Sequence, residues 1–89
     1  MNAIEAKEKA KSNLPKFVDS YVKKAVVSIN NNIKTSVDCG QFSTRTTLAL
    51  PEIVKEAVIQ ELETHYQDLG YEVVSHGLVN FKIIDISWA

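Results

Sequence analysis

The stretch that decides the fold is DLGYEVVSHGLVNFKIIDISWA, residues 68–89, which closes the chain. YEVVS and LVNFKIIDISW predict two strands, and His76 with Gly77 between them predicts a tight hairpin turn. The second strand ends on the only tryptophan, Trp88. The most apolar segment is therefore expected to be structural, with Trp88 anchoring the chain end in or beside the core.

The apolar residues of this last strand change phase partway along it. They form two sets on opposite sides of a pleated strand: Val79, Phe81 and Ile83, then Ile84, Ile86 and Trp88. Such a change indicates either a β-bulge or a strand buried on both faces, and both are typical of a central strand. The segment is thus predicted to lie in the middle of the sheet, so that removing residues 84–89 unfolds the domain.

Two further elements precede this hairpin. QFSTRTTLAL, residues 41–50, alternates between two faces, one of them polar, which favours an edge strand. Pro51 then starts a helix at its first turn, and Gly70 ends it, with Tyr71 folding back over the last turn. The predicted buried stripe of this helix is Val54, Ala57, Val58, Leu62, Tyr66 and Leu69.

The strongest helical periodicity lies in the first half of the chain. From about residue 13 the apolar residues recur every three or four positions: Leu14, Phe17, Val18, Tyr21, Val22, Ala25, Val26, Ile29, Ile33 and Val37. Ser12 or Asn13 can cap this helix, with Pro15 in its first turn and residues 1–12 as a frayed extension. It ends either at Gly40 or, because three asparagines weaken it, near residue 32.

Together these patterns predict a single α+β domain over residues 1–89. The expected order is helix, strand, helix, strand, strand, with a long N-terminal helix and a second packed helix. The last strand is expected at the centre of a three-stranded antiparallel sheet, flanked by the other two. The connection between the flanking strands then skips over the central strand as a right-handed split crossover.

Charge distribution and cysteine content bear on the partners and the cellular location of the protein. The net charge of −1 conceals +4 over residues 1–34 and −5 over residues 35–89. This asymmetry is compatible with head-to-tail association or with binding of a charged partner. The alternative is that the charged side chains of both halves only face solvent. A single cysteine cannot form an internal disulfide, and no signal peptide or membrane span is evident, which together predict a cytoplasmic protein that binds no membrane.

No constellation typical of catalysis is evident, so a protein that is not an enzyme and has no cofactor is expected. His65 follows Glu61 at metal-ligand spacing, but the helix offers no third ligand. Cys39 precedes a glycine at a helix end, where a half-buried structural role is expected. The three glycines are assigned to turns or caps, which leaves no phosphate-binding loop.

Nucleic acid is one possible partner, since Lys16, Lys23 and Lys24 on the first helix can neutralise phosphates. The absence of arginine in that segment and a pI near 6.1 weigh against it.

A protein partner is the leading hypothesis. If the first helix has about 25 residues, it is roughly 38 Å long, more than a small sheet covers. Pairing with the same helix of a second copy then gives a homodimer, whereas a helix that ends near residue 32 can pack wholly on its own sheet. The edge strand offers Thr44, Arg45, Thr46 and Thr47 as further contacts. A small-ligand site at an oligomer interface stays open as a third class.

A group of small proteins of tailed phages and prophages resembles residues 29–89. The shared pattern is an Ile-rich helix, a Gly-x-aromatic-Ser turn (Gly40 to Ser43), a helix ending in Leu-Gly-Tyr (Leu69 to Tyr71) and a last strand closing on Ile-Ser-Trp (Ile86 to Trp88). Asp38 and Cys39 depart from it. The resemblance implies a phage-encoded accessory protein that acts in the host cytoplasm, either on a host enzyme or defence system or as a minor assembly factor. It transfers no active site.

Overall fold

The computed structural model describes residues 1–77 and 81–89 and has a mixed α+β architecture. In chain order its elements are α1 (Ala3–Asp38), β1 (Ser43–Leu48), α2 (Glu52–Asp68), β2 (Glu72–Gly77) and β3 (Lys82–Ser87). The predicted element order is confirmed. His76 and Gly77 belong to β2 rather than to the predicted turn, because they pair with Ile83 and Lys82 and so extend the ladder.

The sheet has the order β1-β3-β2, with β3 antiparallel to both neighbours, which confirms the central position predicted for the last strand. Pairing is continuous from Lys82 to Ser87, so the predicted bulge at Ile83 and Ile84 is wrong. Burial on both faces is also wrong, since Ile84 is fully buried whereas Ile83 is only partly so. Val79, part of the phase argument, lies outside the described residues.

Both helices contact the same face of the sheet. Asn32 of α1 donates a hydrogen bond to the Thr46 hydroxyl of β1 over 2.8 Å, and Ser75 of β2 donates one to Glu63 of α2 over 2.8 Å. Thr46 and Ser75 flank the same residue of β3, Ile84, so they lie on one face. No described helix packs on the opposite face, which explains why β3 is buried on one side only.

The start of α1 differs from the prediction. The helix begins at Ala3, where the side chain of Asn2 accepts a hydrogen bond from the Glu5 N–H over 2.9 Å. Alanine, glutamate and lysine fill the first turns and are strong helix formers, so a cap at Ser12 or Asn13 is wrong. Pro15 lies inside the helix rather than in its first turn, and its missing N–H removes one backbone hydrogen bond.

The end of α1 follows the later of the two alternatives, at Asp38, so the end near residue 32 is wrong. Gly40 has a φ of 75°, a left-handed conformation that glycine adopts without strain. The Gln41 N–H donates to the Ser36 carbonyl over 2.8 Å, which closes a Schellman motif. Cys39 at the C-cap is exposed, not half-buried as expected, because the chain turns there at the surface.

The C-terminal end of α2 has the same kind of glycine cap as the end of α1. Gly70 has a φ of 93°, and the Tyr71 N–H donates to the Tyr66 carbonyl over 3.0 Å, which confirms the predicted cap.

The buried stripe predicted for α2 is right at four positions and wrong at two. Ala57 and Leu69 are exposed, whereas Ile59, outside the predicted stripe, is buried.

The core lies between the two helices and the inner face of the sheet. Its fully or almost fully buried side chains are Tyr66, Ile29, Leu62, Ile84, Ile86, Val54 and Val58. Trp88 is partly buried and packs against this core, with its ring centroid 6.1 Å from that of Tyr71. The Trp88 N–H also donates to the Phe42 carbonyl over 3.0 Å, so the predicted anchoring of the chain end is confirmed.

Tyr66 is fully buried, and burial raises its pKa to about 12 from 10.0. A pKa raised on folding contributes stability that is complete below pH ~10 and is lost as the pH rises through ~12. We expect the free energy of unfolding to fall by roughly 2 to 3 kcal/mol over that interval. Urea unfolding at several pH values measures it. Tyr66→Phe should lose this component; an unchanged pH profile in that variant would contradict the assignment.

α1 is much longer than the elements it packs on. Its 36 residues span about 54 Å, against about 26 Å for the 17 residues of α2. The described residues accordingly extend 56 × 25 × 17 Å. Every residue from Met1 to Asn13 is exposed, so the first part of α1 projects beyond the rest of the chain.

Candidate functional site

The uncovered face of the sheet is the candidate functional site, and we call it the open sheet face. It consists of alternate residues from each strand: Ser43, Arg45 and Thr47 of β1, Ile83, Asp85 and Ser87 of β3, and Glu72, Val74 and His76 of β2. Strand pairing places these side chains in a grid of three rows, because every second residue of a strand points to the same face.

Asp85 lies at the centre of this grid and binds two side chains from the flanking strands. Arg45, its direct partner across β1 and β3, donates from Nε to Oδ1 over 2.7 Å and from Nη2 to Oδ2 over 3.1 Å. His76 of β2 donates from Nε2 to Oδ2 over 3.0 Å. One carboxylate thus joins all three strands on the exposed side of the sheet.

The ionisation of this cluster is set mainly by Arg45. Its hydrogen bonds to the carboxylate are the largest cause that lowers the pKa of Asp85 below its ordinary value, and those from His76 add to the effect. The same hydrogen bonds raise the pKa of Arg45. Asp85 therefore stays negative and Arg45 positive at neutral pH. The cluster presents fixed charges, held in place by a bidentate pair.

The cluster contains a His–Asp pair, so its chemical capacity can be compared with that of hydrolase sites. A nucleophilic site needs a hydroxyl or thiol within hydrogen-bond reach of the imidazole. Within residues 1–77 and 81–89 no serine, threonine or cysteine side chain hydrogen-bonds to His76. The same residues contain no group of three or more His, Cys, Asp or Glu that could hold a metal ion. The arrangement can bind and orient a partner through charge and hydrogen bonds.

Apolar side chains lie beside the charges. Val74, next to Asp85 across β2 and β3, has 54% of its surface exposed, and Ile83 is partly exposed. Phe81, just before β3, is 45% exposed. Apolar contacts flanked by polar groups are typical of protein–protein interfaces.

Two of the four candidates predicted on β1 reach this face. Arg45 and Thr47 are exposed there, whereas Thr44 and Thr46 point to the side on which the helices pack. Thr46 is only 6% exposed, and its hydroxyl accepts the hydrogen bond from Asn32. It is therefore a core residue and not available to a partner.

The three lysine candidates lie on α1, which packs on the other side of the sheet, so the structure does not join them to the β1 candidates. Lys16 is exposed, Lys23 forms an ion pair with Asp19 over 3.0 Å, and Lys24 lies 6.0 Å from the ring centroid of Tyr21. Such exposed pairs contribute little to stability. The lysine surface and the open sheet face are therefore two separate candidates.

The sequence pattern did not identify Asp85, His76 and Val74 as members of the site. The available signal was the strand order: with the last strand central, Arg45 and Asp85 are opposite charges that can meet across β1 and β3. The predicted phase change at Ile83 and Ile84 left the register of β3 undetermined, so the sequence did not show which residues face each other. The prediction of His76 in a turn likewise kept it out of the sheet.

The ion pair gives a pH-dependent prediction. The folded-state pKa of Asp85 is depressed below 3.8, so its stabilising contribution is present above pH ~4 and is lost as the pH falls through the folded-state pKa. Asp85→Asn should therefore lower the urea midpoint at pH 7, and the difference from wild type should shrink below pH 4. Glu72→Gln removes one negative charge from the same face and serves as the control. A difference that stays constant down to pH 2 would contradict the assignment.

Among the described residues, neither helix combines the length and the apolar character that a membrane span requires. Comparison of the chain with protein-family models, with curated proteins and with solved structures finds no match in any of the three.

Proposed function

We propose that this chain is a non-enzymatic accessory protein that binds another macromolecule, an inhibitor or modulator of the kind that phages encode, and that it acts as a homo-oligomer. The phage assignment rests on the resemblance of the Leu-Gly-Tyr helix end and the closing Ile-Ser-Trp strand. The binding role rests on one structural observation, the open sheet face with its fixed charges. A protein is the proposed partner.

The chemistry of the open sheet face favours a protein over a small molecule. Its side chains form a three-stranded surface, and the cleft of about 400 Å³ that Ser43, Arg45 and Asp85 line at its β1 side is open to solvent, whereas small-molecule sites bury most of the ligand surface. Arg45 and Asp85 offer a fixed donor and acceptor side by side, and Val74 offers an exposed apolar contact. Charges held by mutual hydrogen bonds lose little side-chain entropy when a partner docks, which favours affinity.

The size of the face indicates how a partner would extend the contact. Three strands of 6 residues form a face of about 10 to 15 Å by 20 Å. The area of this face is smaller than the ~800 Å² that each partner buries in a standard interface. A stable complex would therefore also use the neighbouring edge of β1. Backbone groups on the outer edge of an end strand are free to pair with an added strand.

Site-specific crosslinking tests this proposal. A photoreactive residue at Val74, in bacterial cells that express the chain, should give a discrete product heavier than a dimer of the chain, and Arg45→Glu in the same chain should abolish it. The matched control places the same residue at Gln67, exposed on α2, where no such product is expected. Equal products at both positions, or a product unaffected by Arg45→Glu, would contradict binding at the open sheet face.

Nucleic acid is a second candidate because of one feature of α1. Lys9, Lys16 and Lys23 are exposed at intervals of seven residues, which aligns them along one side of the helix about 10 Å apart. Lysines in a row can neutralise successive phosphates. A gel-shift assay below ~50 mM salt tests this candidate, and the absence of any salt-dependent shift would remove it. Lys16→Glu should weaken binding if the row is the contact.

A further inference from the structure

The chain exposes more surface than a compact protein of its mass. Its accessible surface is 6167 Å², whereas a compact monomer of 9.9 kDa exposes about 5,200 Å². Its radius of gyration is 15.3 Å, against about 12 Å for a compact domain of 89 residues. The excess of roughly 1,000 Å² is close to the ~800 Å² that each partner buries in a standard interface.

The projecting part of α1 contributes to this exposed surface, since residues 1–13 are all exposed. Three large apolar side chains in this region are exposed: Ile4 by 71%, Phe17 by 56% and Ile53, in the first turn of α2, by 73%. An isolated helical segment of about 12 residues is marginal in water, and Pro15 weakens this one further. The segment is therefore expected to gain stability from a contact outside its own chain.

A groove at the base of this segment has the chemistry to receive a helix. It has a volume of about 320 Å³ and is lined by Ala10, Leu14, Phe17 and Tyr21 of α1 with Pro51 and Ile53 beside them. The projecting segment itself carries small apolar residues, Ala3, Ala6 and Ala10, at helical spacing. Small side chains allow two helices to approach closely, and an amphipathic helix in an apolar groove is a common mode of recognition.

Charge does not distinguish the two ends of this surface. The projecting segment carries three lysines and two glutamates between residues 5 and 11, and Lys11 lines a neighbouring cleft together with Glu61 of α2. Glu52 and Glu56 already form ion pairs with lysines of their own chain, over 3.6 and 3.8 Å. The apolar groove and the excess exposed area are thus the observations that indicate a second copy, because a symmetric pair buries the same surface on both chains.

We infer that a second copy of this chain occupies the groove, with the projecting segments of the two α1 helices antiparallel. The contact buries Ile4, Phe17 and Ile53 of both copies. This inference rests on the proposed homo-oligomer and gives it a surface and a symmetry. It leaves the open sheet face free for the macromolecular partner.

Mass measurement by sedimentation velocity tests the groove. The wild-type chain at ~100 µM should have twice the 9.9 kDa chain mass. Phe17→Lys and Ile53→Lys replace exposed side chains, should keep the wild-type circular dichroism, and should each weaken dimerisation at least tenfold. Val37→Lys, at an exposed position near the far end of α1, is the matched control and should remain dimeric. A monomeric wild type, or groove variants that dimerise as well as wild type, would overturn the inference.

A substitution on the open sheet face separates this inference from the proposed function. Val74→Arg should remain dimeric while losing the macromolecular partner, so the two proposals can fail separately.

Discussion

A chain that ends at Ile83, lacking residues 84–89, is expected not to fold. β1 and β2 pair with β3 and not with each other, so the deletion removes most of the partners of both. It also removes Ile84 and Ile86, which are 0% and 1% exposed. Loss of each buried side chain alone costs roughly 2 to 5 kcal/mol. The whole stability of 89 residues is only about 4 to 13 kcal/mol.

Circular dichroism and the dispersion of amide proton signals measure this result. The truncated chain should give the spectrum of a largely unfolded protein, with residual helix from α1 at most. Removal of Ala89 alone is the control, since this residue is exposed and follows Trp88, and it should leave the spectra unchanged. A truncated chain with a cooperative thermal transition would contradict the central role of β3.

Leu62→Ala should lower the free energy of unfolding by about 2 to 5 kcal/mol. Leu62 of α2 is fully buried in the core, so the substitution leaves a cavity as well as removing apolar contacts. The loss amounts to a large share of the stability of so small a domain. Urea unfolding followed by circular dichroism gives the value.

Leu69→Ala is the matched control for this variant. It changes the same residue type in the same region, but Leu69 is 62% exposed at the C-cap of α2. Its effect should lie within about 0.5 kcal/mol of wild type. Equal losses in the two variants would show that the burial difference does not govern stability here.

The two leucines also show how far sequence patterns predict this fold. Leu62 and Leu69 lie seven residues apart and share a predicted stripe, yet only the first is covered. Periodicity reports which side of a helix is apolar, but it does not report where the neighbouring elements end. Phe17 shows the same limit: its neighbours Leu14 and Val18 pack on the core, whereas Phe17, at the margin of the same apolar side of α1, is 56% exposed.

The candidate site was less predictable than the fold. The strand order followed from the apolar closing segment and the caps at Gly40 and Gly70, which are local signals. The cluster of Arg45, Asp85 and His76 instead depends on the register of three strands, and a one-residue error in register moves a side chain to the other face. The direction of Thr46 towards the helices shows the same dependence, since its neighbours Arg45 and Thr47 are exposed.

The exposed thiol at the end of α1 allows the geometry of a dimer to be measured as a distance between two labels. Cys39 is the only cysteine, so a spin label attaches at one defined point per chain. Twenty-five residues of helix separate it from Leu14, which is about 37 Å along α1. In an antiparallel pair centred on Leu14, the two labels would lie roughly 70 Å apart, whereas a pair joined through the sheets would bring them much closer. One distance distribution, without any mutation of the native chain, thus distinguishes the two geometries.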